Sequence, residues 1–121
     1  MVKQQIEYRV LEILDRVSKN QPVEDDNVEL KSIWVSDYGK VARQIAAHAN
    51  AARGTEIIWL IGVDEKSGIK GVDATELSNW HSSIKSCFDE GFAPSMVNIN
   101  VPYDGKTVVA LVFETDRAPF V

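Results

Sequence analysis

The run VEDDNVELK, residues 23–31, gathers Glu24, Asp25, Asp26 and Glu29 into six positions and then alternates apolar and charged residues up to Lys31. On an extended strand, residues two apart project from the same side, so Glu29 and Lys31 share a face. Glu24 lies five residues before Glu29, and a turn in the intervening loop would bring the two carboxylates together. A third acid, Asp64 or Glu65 at the exit of a later apolar run, would complete an oxygen-rich donor set for Mg²⁺ or Mn²⁺. Such sets position water and neutralise phosphate in many nucleases. A hydrated acidic loop followed by a surface Glu–Lys pair is the commoner outcome for a charge run of this kind.

Other chemistries find less support. The stretch IGVDEKSGIKG, residues 61–71, is glycine-rich, but no Lys-Ser/Thr follows at Walker A spacing and no GxGxxG opens a helix. Its glycines suit a turn between paired strands. His48 and His81 stand at no metal-ligand spacing from each other or from Cys87, which argues against zinc. No nucleophile-elbow pattern supports a Ser-His-Asp triad. Cys87 follows the spacing of Trp80, Ile84 and Phe88 and is expected in the core; Trp34 is expected to pack rather than stack on a base.

Net charge is −5, which excludes a strongly basic nucleic-acid binder. The acid is unevenly placed: residues 1–60 hold 8 basic and 9 acidic side chains, 61–121 hold 5 and 9. Lys31, Lys40, Arg43 and Arg53 form the one stretch with a local positive balance, a candidate set of phosphate contacts, with Asn50 beside them for a backbone or base-edge hydrogen bond. At 121 residues, one domain with its own core is expected, without metal or disulfide support. No apolar run approaches the roughly 20 residues that span a bilayer, so no membrane association is expected. The single cysteine excludes an internal disulfide and suits a reducing, cytoplasmic setting.

The elements that must position these residues are legible from periodicity. QIEYRVLEILDRVSK carries apolar residues at Ile6, Val10, Leu11, Ile13, Leu14 and Val17, the spacing of an amphipathic helix closed by Pro22. NVELKSI is a strand with Val28 and Leu30 on one face and Glu29 and Lys31 on the other. A second helix follows Ser36 or Asp37 and stops at Gly54, with Tyr38, Val41, Ile45, Ala49 and Ala52 buried and Lys40, Arg43, Ala47 and Asn50 opposite. TEIIWLIGV reads as a central strand covered on both faces, and IKGVD as its short partner. A third helix runs from a cap at Asp73 or Thr75 to Gly91, and SMVNINVPY and TVVALVFET flank a hairpin turn at Asp104-Gly105. The order α-β-α-β-β-α-β-β predicts an α+β fold in which helices pack on a mixed sheet. The apolar ending APFV suggests a chain that continues, with further domains beyond residue 121.

Read in order, five short motifs resemble the Schlafen-type, AlbA-like DNA-binding domain. Glu29-Leu30-Lys31 stands for its Glu-Phe-Lys strand, and Ala47-His48-Ala49-Asn50 for its Ala-Phe-Ala-Asn helix end. Gly54-Thr55 stands for its Gly-Gly-Thr turn, Ile61-Gly62-Val63 for its Ile-Gly-Val strand, and Arg117-Ala118-Pro119 for its late basic-Pro motif. The resemblance covers roughly residues 6 to 121. Arg53 replaces the first glycine of the turn, and GTEIIWLIGV is a residue or two longer than usual. The resemblance implies an AlbA-like core and a nucleic-acid-binding module of a regulatory or defence protein, with homodimerisation common to the fold. It also implies a specific nuclease reading. Some Schlafen members resemble RNA endonucleases with two glutamates separated by four residues, a lysine and an aspartate after the Ile-Gly-Val strand. Glu24, Glu29, Lys31 and Asp64 fill those positions, with Glu24, Glu29 and Asp64 as ligands of Mg²⁺ or Mn²⁺. The expected function is therefore DNA or RNA binding, with a metal-dependent endoribonuclease as one alternative and an oligomerisation module as another.

Overall fold

The computed structural model describes residues 3–23, 25–89, 93–115 and 119–120. Helix α1 (Lys3–Ser18) is followed by β1 (Val28–Lys31), α2 (Tyr38–Ala51), β2 (Ile57–Ile61) and the short strands β3 (Val63–Asp64) and β4 (Gly68–Ile69). A turn of 3₁₀ helix (Ala74–Glu76) leads into α3 (Leu77–Lys85), and the hairpin β5 (Met96–Tyr103) and β6 (Lys106–Phe113) follows. The main sheet has the order β1-β2-β6-β5, with β1 parallel to β2 and the other pairs antiparallel. This is an α+β fold on a mixed sheet.

The strand alternation decides the layers. Val28 and Leu30 of β1, with Ile58, Leu60, Val108, Ala110 and Val112, face α1 through Ile6, Val10, Ile13, Leu14 and Val17. The other side of the same strands, Ile57, Trp59, Ile61, Val109, Leu111 and Phe113, packs on α2 and α3. Every residue of β2 is buried. A strand flanked by neighbours and helices on both faces has no solvated side, which is why its sequence is continuously apolar. Burying a side chain of that size contributes about 1.5–3 kcal/mol.

The helix ends follow local chemistry. Asn20, at φ 58, closes α1: its N–H bonds the Val17 carbonyl and the Gln21 N–H reaches the Arg16 carbonyl. Asp37 caps α2, its carboxylate accepting from the Lys40 N–H at 3.3 Å. Asp73 caps the 3₁₀ turn through the Thr75 N–H at 2.9 Å. The expected end of the third helix at Gly91 lies outside the described residues; α3 itself stops at Lys85. That early stop corrects the expectation for Cys87, which is exposed. Beyond Lys85 the helical period no longer applies, and Phe88 alone of the pair turns inward.

The expected strand over residues 55–63 is also broken, at Gly62. Its φ of 105° lies in a region that favours glycine, and it separates β2 from β3. The Gly62 N–H donates to the Lys31 carbonyl at 2.7 Å, and its carbonyl accepts from the Lys70 and Gly71 N–H groups. A Cβ there would sit 3.1 Å from the Gly71 backbone. Gly62→Ala is expected to destabilise the domain by at least about 1–3 kcal/mol from backbone strain. Urea unfolding checks this, and an unchanged midpoint contradicts it.

His81, on α3, gives the fold a pH dependence. Burial, and then the nearby Lys85 ammonium, hold its imidazole below the ordinary value of 6.5. Folding therefore favours the neutral ring. The stability it contributes is complete above about pH 6.5 and is lost as pH falls through the lowered value. Melting curves from pH 7 to pH 5 should show a falling Tm, with a shallower fall in His81→Gln; equal slopes would remove His81 as a cause.

Candidate nucleic-acid interface

Glu29 and Lys31 lie on the α2/α3 face of the edge strand β1, opposite Trp59 and Ile61 of β2 in register. Both are half-buried, with 32% and 21% of their side chains exposed, and Lys31 Nζ stands 3.8 Å from Glu29 Oε1. That separation gives charge attraction but no hydrogen bond. The ammonium also lies 5.5 Å from the centre of the Trp59 ring, a favourable cation–π position. Among the described residues its three N–H donors have no hydrogen-bond acceptor.

Lys31 opens onto a cleft of about 330 Å³, lined also by Leu30, Ser32, Val35 and Val63 and by the charged residues Asp64, Glu65 and Lys66. One wall, the loop after β1, is held by two tryptophans. Trp34 and Trp80 meet in a tilted pair, with centroids 5.1 Å apart and ring planes at 53°; Trp34 Nε1 donates to the Asp73 carbonyl and Trp80 Nε1 to the Val35 carbonyl. Trp34 thus packs, as its sequence context suggests. The opposite wall is the β3–β4 turn, where Asp64 Oδ1 accepts from the Lys66 and Ser67 N–H groups, each at 2.8 Å. Hydrogen bonds from Ser67, and then Lys66, hold the Asp64 carboxyl below the ordinary value of 3.8, so it is anionic at neutral pH.

The sequence reading missed His48. Its Nδ1 accepts from Trp59 Nε1–H at 3.0 Å, so its proton is on Nε2, which donates to the Asp26 carbonyl at 2.9 Å. One imidazole therefore ties the acidic loop to the ring on which Lys31 rests. The loop is further fixed by the Asn27 amide, which donates to Thr55 Oγ1 and the Glu56 carbonyl. The available signal was His48 standing where the resembling motif has phenylalanine.

The family described as Schlafen, AlbA_2 matches residues 24–120. The chain belongs to the Schlafen AlbA_2 family. No curated protein and no solved structure matches it. The matched span of this AlbA_2 domain begins after α1, although α1 supplies the helical cover of one sheet face. Among the described residues no helix is long and apolar enough to cross a membrane.

The AlbA_2 domain does not gather every candidate residue at one place. Lys31 and Asp64 share the cleft, and Glu29 stands beside Lys31. Lys40 and Arg43 are exposed on the first half of α2, which starts three residues after the cleft wall at Val35. Arg53 follows the far end of that helix, about 20 Å from Lys40 at helical rise. It takes a left-handed φ of 54°, in the place where the family motif has glycine. Asn50 is engaged structurally: Nδ2 donates to the Phe120 carbonyl at 3.2 Å and Oδ1 accepts from the Phe120 N–H at 2.8 Å. Those bonds pin the buried Phe120 against α2.

The divalent-metal donor set fits less well. Glu24 lies outside the described residues, and among the described residues no group of three or more His, Cys, Asp or Glu side chains stands close enough to hold a metal ion. Glu29 already faces the Lys31 ammonium, and one oxygen of Asp64 is occupied by two backbone N–H groups. The described residues do not by themselves make a site for Mg²⁺ or Mn²⁺.

Proposed function

We propose that this AlbA_2 domain binds nucleic acid, DNA or RNA, by taking a backbone phosphate into the cleft at the end of β1, as a module of a regulatory or defence protein. The observation that carries the reading is Lys31, a half-buried ammonium with a counter-charge at 3.8 Å and no hydrogen-bonded acceptor among the described residues. A phosphate oxygen supplies the charge-assisted acceptor that Glu29 does not. Lys66 lines the same cleft, and Lys40 and Arg43, exposed on the first half of α2, are further cations for neighbouring phosphates. The acidic net charge makes this a local patch rather than a basic face, so modest affinity is expected.

The test measures retention of labelled tRNA, single-stranded DNA and duplex DNA across a salt series, in Mn²⁺ or EDTA, with Glu29→Ala alongside. Binding that weakens steeply with salt supports the proposal, because counterion release accompanies each phosphate contact. Absent or salt-insensitive binding overturns it. Cleavage that needs both Mn²⁺ and Glu29 would replace it with the endonuclease reading, with Glu24, Glu29 and Asp64 as the metal ligands.

A further inference from the structure

Helix α2 borders a second concavity, which shares no lining residue with the Lys31 cleft. A groove of about 230 Å³ lies between Gly39, Ala42, Arg43 and Ala46 of α2 and Cys87 and Phe88, which follow α3. Pockets for drug-sized ligands measure roughly 300–1,000 Å³, so this one suits a single ring system. Ala42 and Phe88 give it a buried apolar floor. Among the described residues that line it, Arg43 alone is charged, and Arg43 makes no ion pair and no side-chain hydrogen bond with any described residue.

Gly39 has no conformational reason to be glycine. It sits in the first turn of α2 without a left-handed φ, and a Cβ there would meet Arg43 Nη1 at 3.5 Å, an ordinary contact. Alanine would fit and would favour the helix. Glycine instead leaves space at the groove, along which the Arg43 guanidinium lies back by one helical turn. Charge narrows the occupant. Residues 38–55 hold Lys40, Arg43 and Arg53 and no acidic side chain, in a chain with 18 Asp and Glu and a net charge of −5. An occupant that joins a flat apolar ring to a negative charge fits both features, and a nucleotide does so. A guanidinium plane stacks on a base, and its N–H groups reach acceptors on the base edge. Val35 lines the cleft and Gly39 the groove, so four residues separate them and their Cα atoms are at most about 14 Å apart. That is the length of about four stacked nucleotides of one strand.

We propose that the groove beside Arg43 takes an unstacked base from a single strand whose backbone phosphate lies at Lys31. The inference rests on the phosphate reading above and narrows its ligand to single-stranded nucleic acid. A duplex keeps its bases stacked and paired, so it offers the cleft a phosphate but offers the groove no base face without extrusion. Arg43 then serves two parts of a nucleotide, its charge towards the phosphate and its plane towards the base. Ala42, Ala46 and Phe88 supply the apolar surface on which the ring is buried.

The test is fluorescence anisotropy of the full chain with probes of equal length: single-stranded oligodeoxyadenylate, the same strand without bases, and its duplex with oligothymidylate. The base-bearing single strand should bind about tenfold or more tighter than either of the others. Gly39→Leu, which fills the groove with a better helix former, should reduce that preference about fivefold or more with Tm unchanged or raised. Arg43→Lys, which keeps the charge and loses the plane, should reduce it while leaving the salt slope as it was. Equal binding of the base-bearing and base-free strands overturns the proposal; where that binding still weakens steeply with salt, the phosphate reading stands alone. A duplex bound as tightly as the single strand overturns it too, as does a folded Gly39→Leu variant with its preference intact. No binding of any probe overturns both readings. The base-free comparison uses the unaltered chain, so it decides the question even where a variant fails to fold.

Discussion

Lys31→Met should lower nucleic-acid affinity about 10- to 100-fold while leaving the fold intact. The substitution keeps an apolar stem against Trp59 and removes only the ammonium, whose hydrogen bonds to a charged phosphate are worth about 1.5–3 kcal/mol. The slope of log K against log salt should become shallower by about one, because one fewer phosphate is neutralised. Stability should change little. The lost cation–π contact, at 5.5 Å from the Trp59 centroid, is worth about 0.5–1 kcal/mol at a partly exposed site, and a lone carboxylate at Glu29 remains partly solvated. Filter binding or fluorescence anisotropy across a salt series reads both effects. Unchanged affinity and slope would show that phosphate is taken elsewhere, with α2 and its Lys40 and Arg43 as the next surface to test. A loss of affinity in Lys31→Met with no change of slope would mean that Lys31 neutralises no phosphate.

His48→Phe should cost about 2–3 kcal/mol, lowering Tm by about 10 °C. An aromatic ring is retained and the family motif itself has phenylalanine there, so packing is not the main cause. The cost comes from Trp59, whose indole N–H is left without an acceptor in a residue only 1% exposed. A buried donor stripped of its partner carries its full desolvation penalty. The bond to the Asp26 carbonyl is lost as well, but Asp26 is exposed and water replaces it at small cost. His48→Gln, which keeps an acceptor and a donor on one side chain, should recover part of the loss. Thermal unfolding of both variants, with the Trp59 indole proton followed by NMR, checks the assignment. Equal stability of wild type and His48→Phe would mean that the indole finds another acceptor. Because Lys31 rests on the same ring, His48→Phe should also weaken nucleic-acid binding.

Secondary structure and the faces of each element were determined by the sequence, because periodicity and caps are local. The stripe of α1, the buried run of β2, the Asp37 cap and the Asp104-Gly105 turn all follow from residues within a few positions of one another. The shared face of Glu29 and Lys31 was equally legible, since strand alternation alone places them together. The family was legible too, through short motifs in a fixed order.

Tertiary structure decided what each polar group meets. Nothing local says that the Asn50 amide is consumed by Phe120, seventy residues on, or that His48 receives the Trp59 indole proton. The four basic candidates share a stretch of sequence, yet the rigid rise of α2 holds Arg53 apart from Lys40 and Arg43. Gly62 breaks an apolar run that reads as one strand because its N–H must reach the Lys31 carbonyl while its own carbonyl accepts from Lys70 and Gly71. In each case the partner is distant along the chain and near only in the folded sheet, so burial and pairing, rather than composition or spacing, set the outcome.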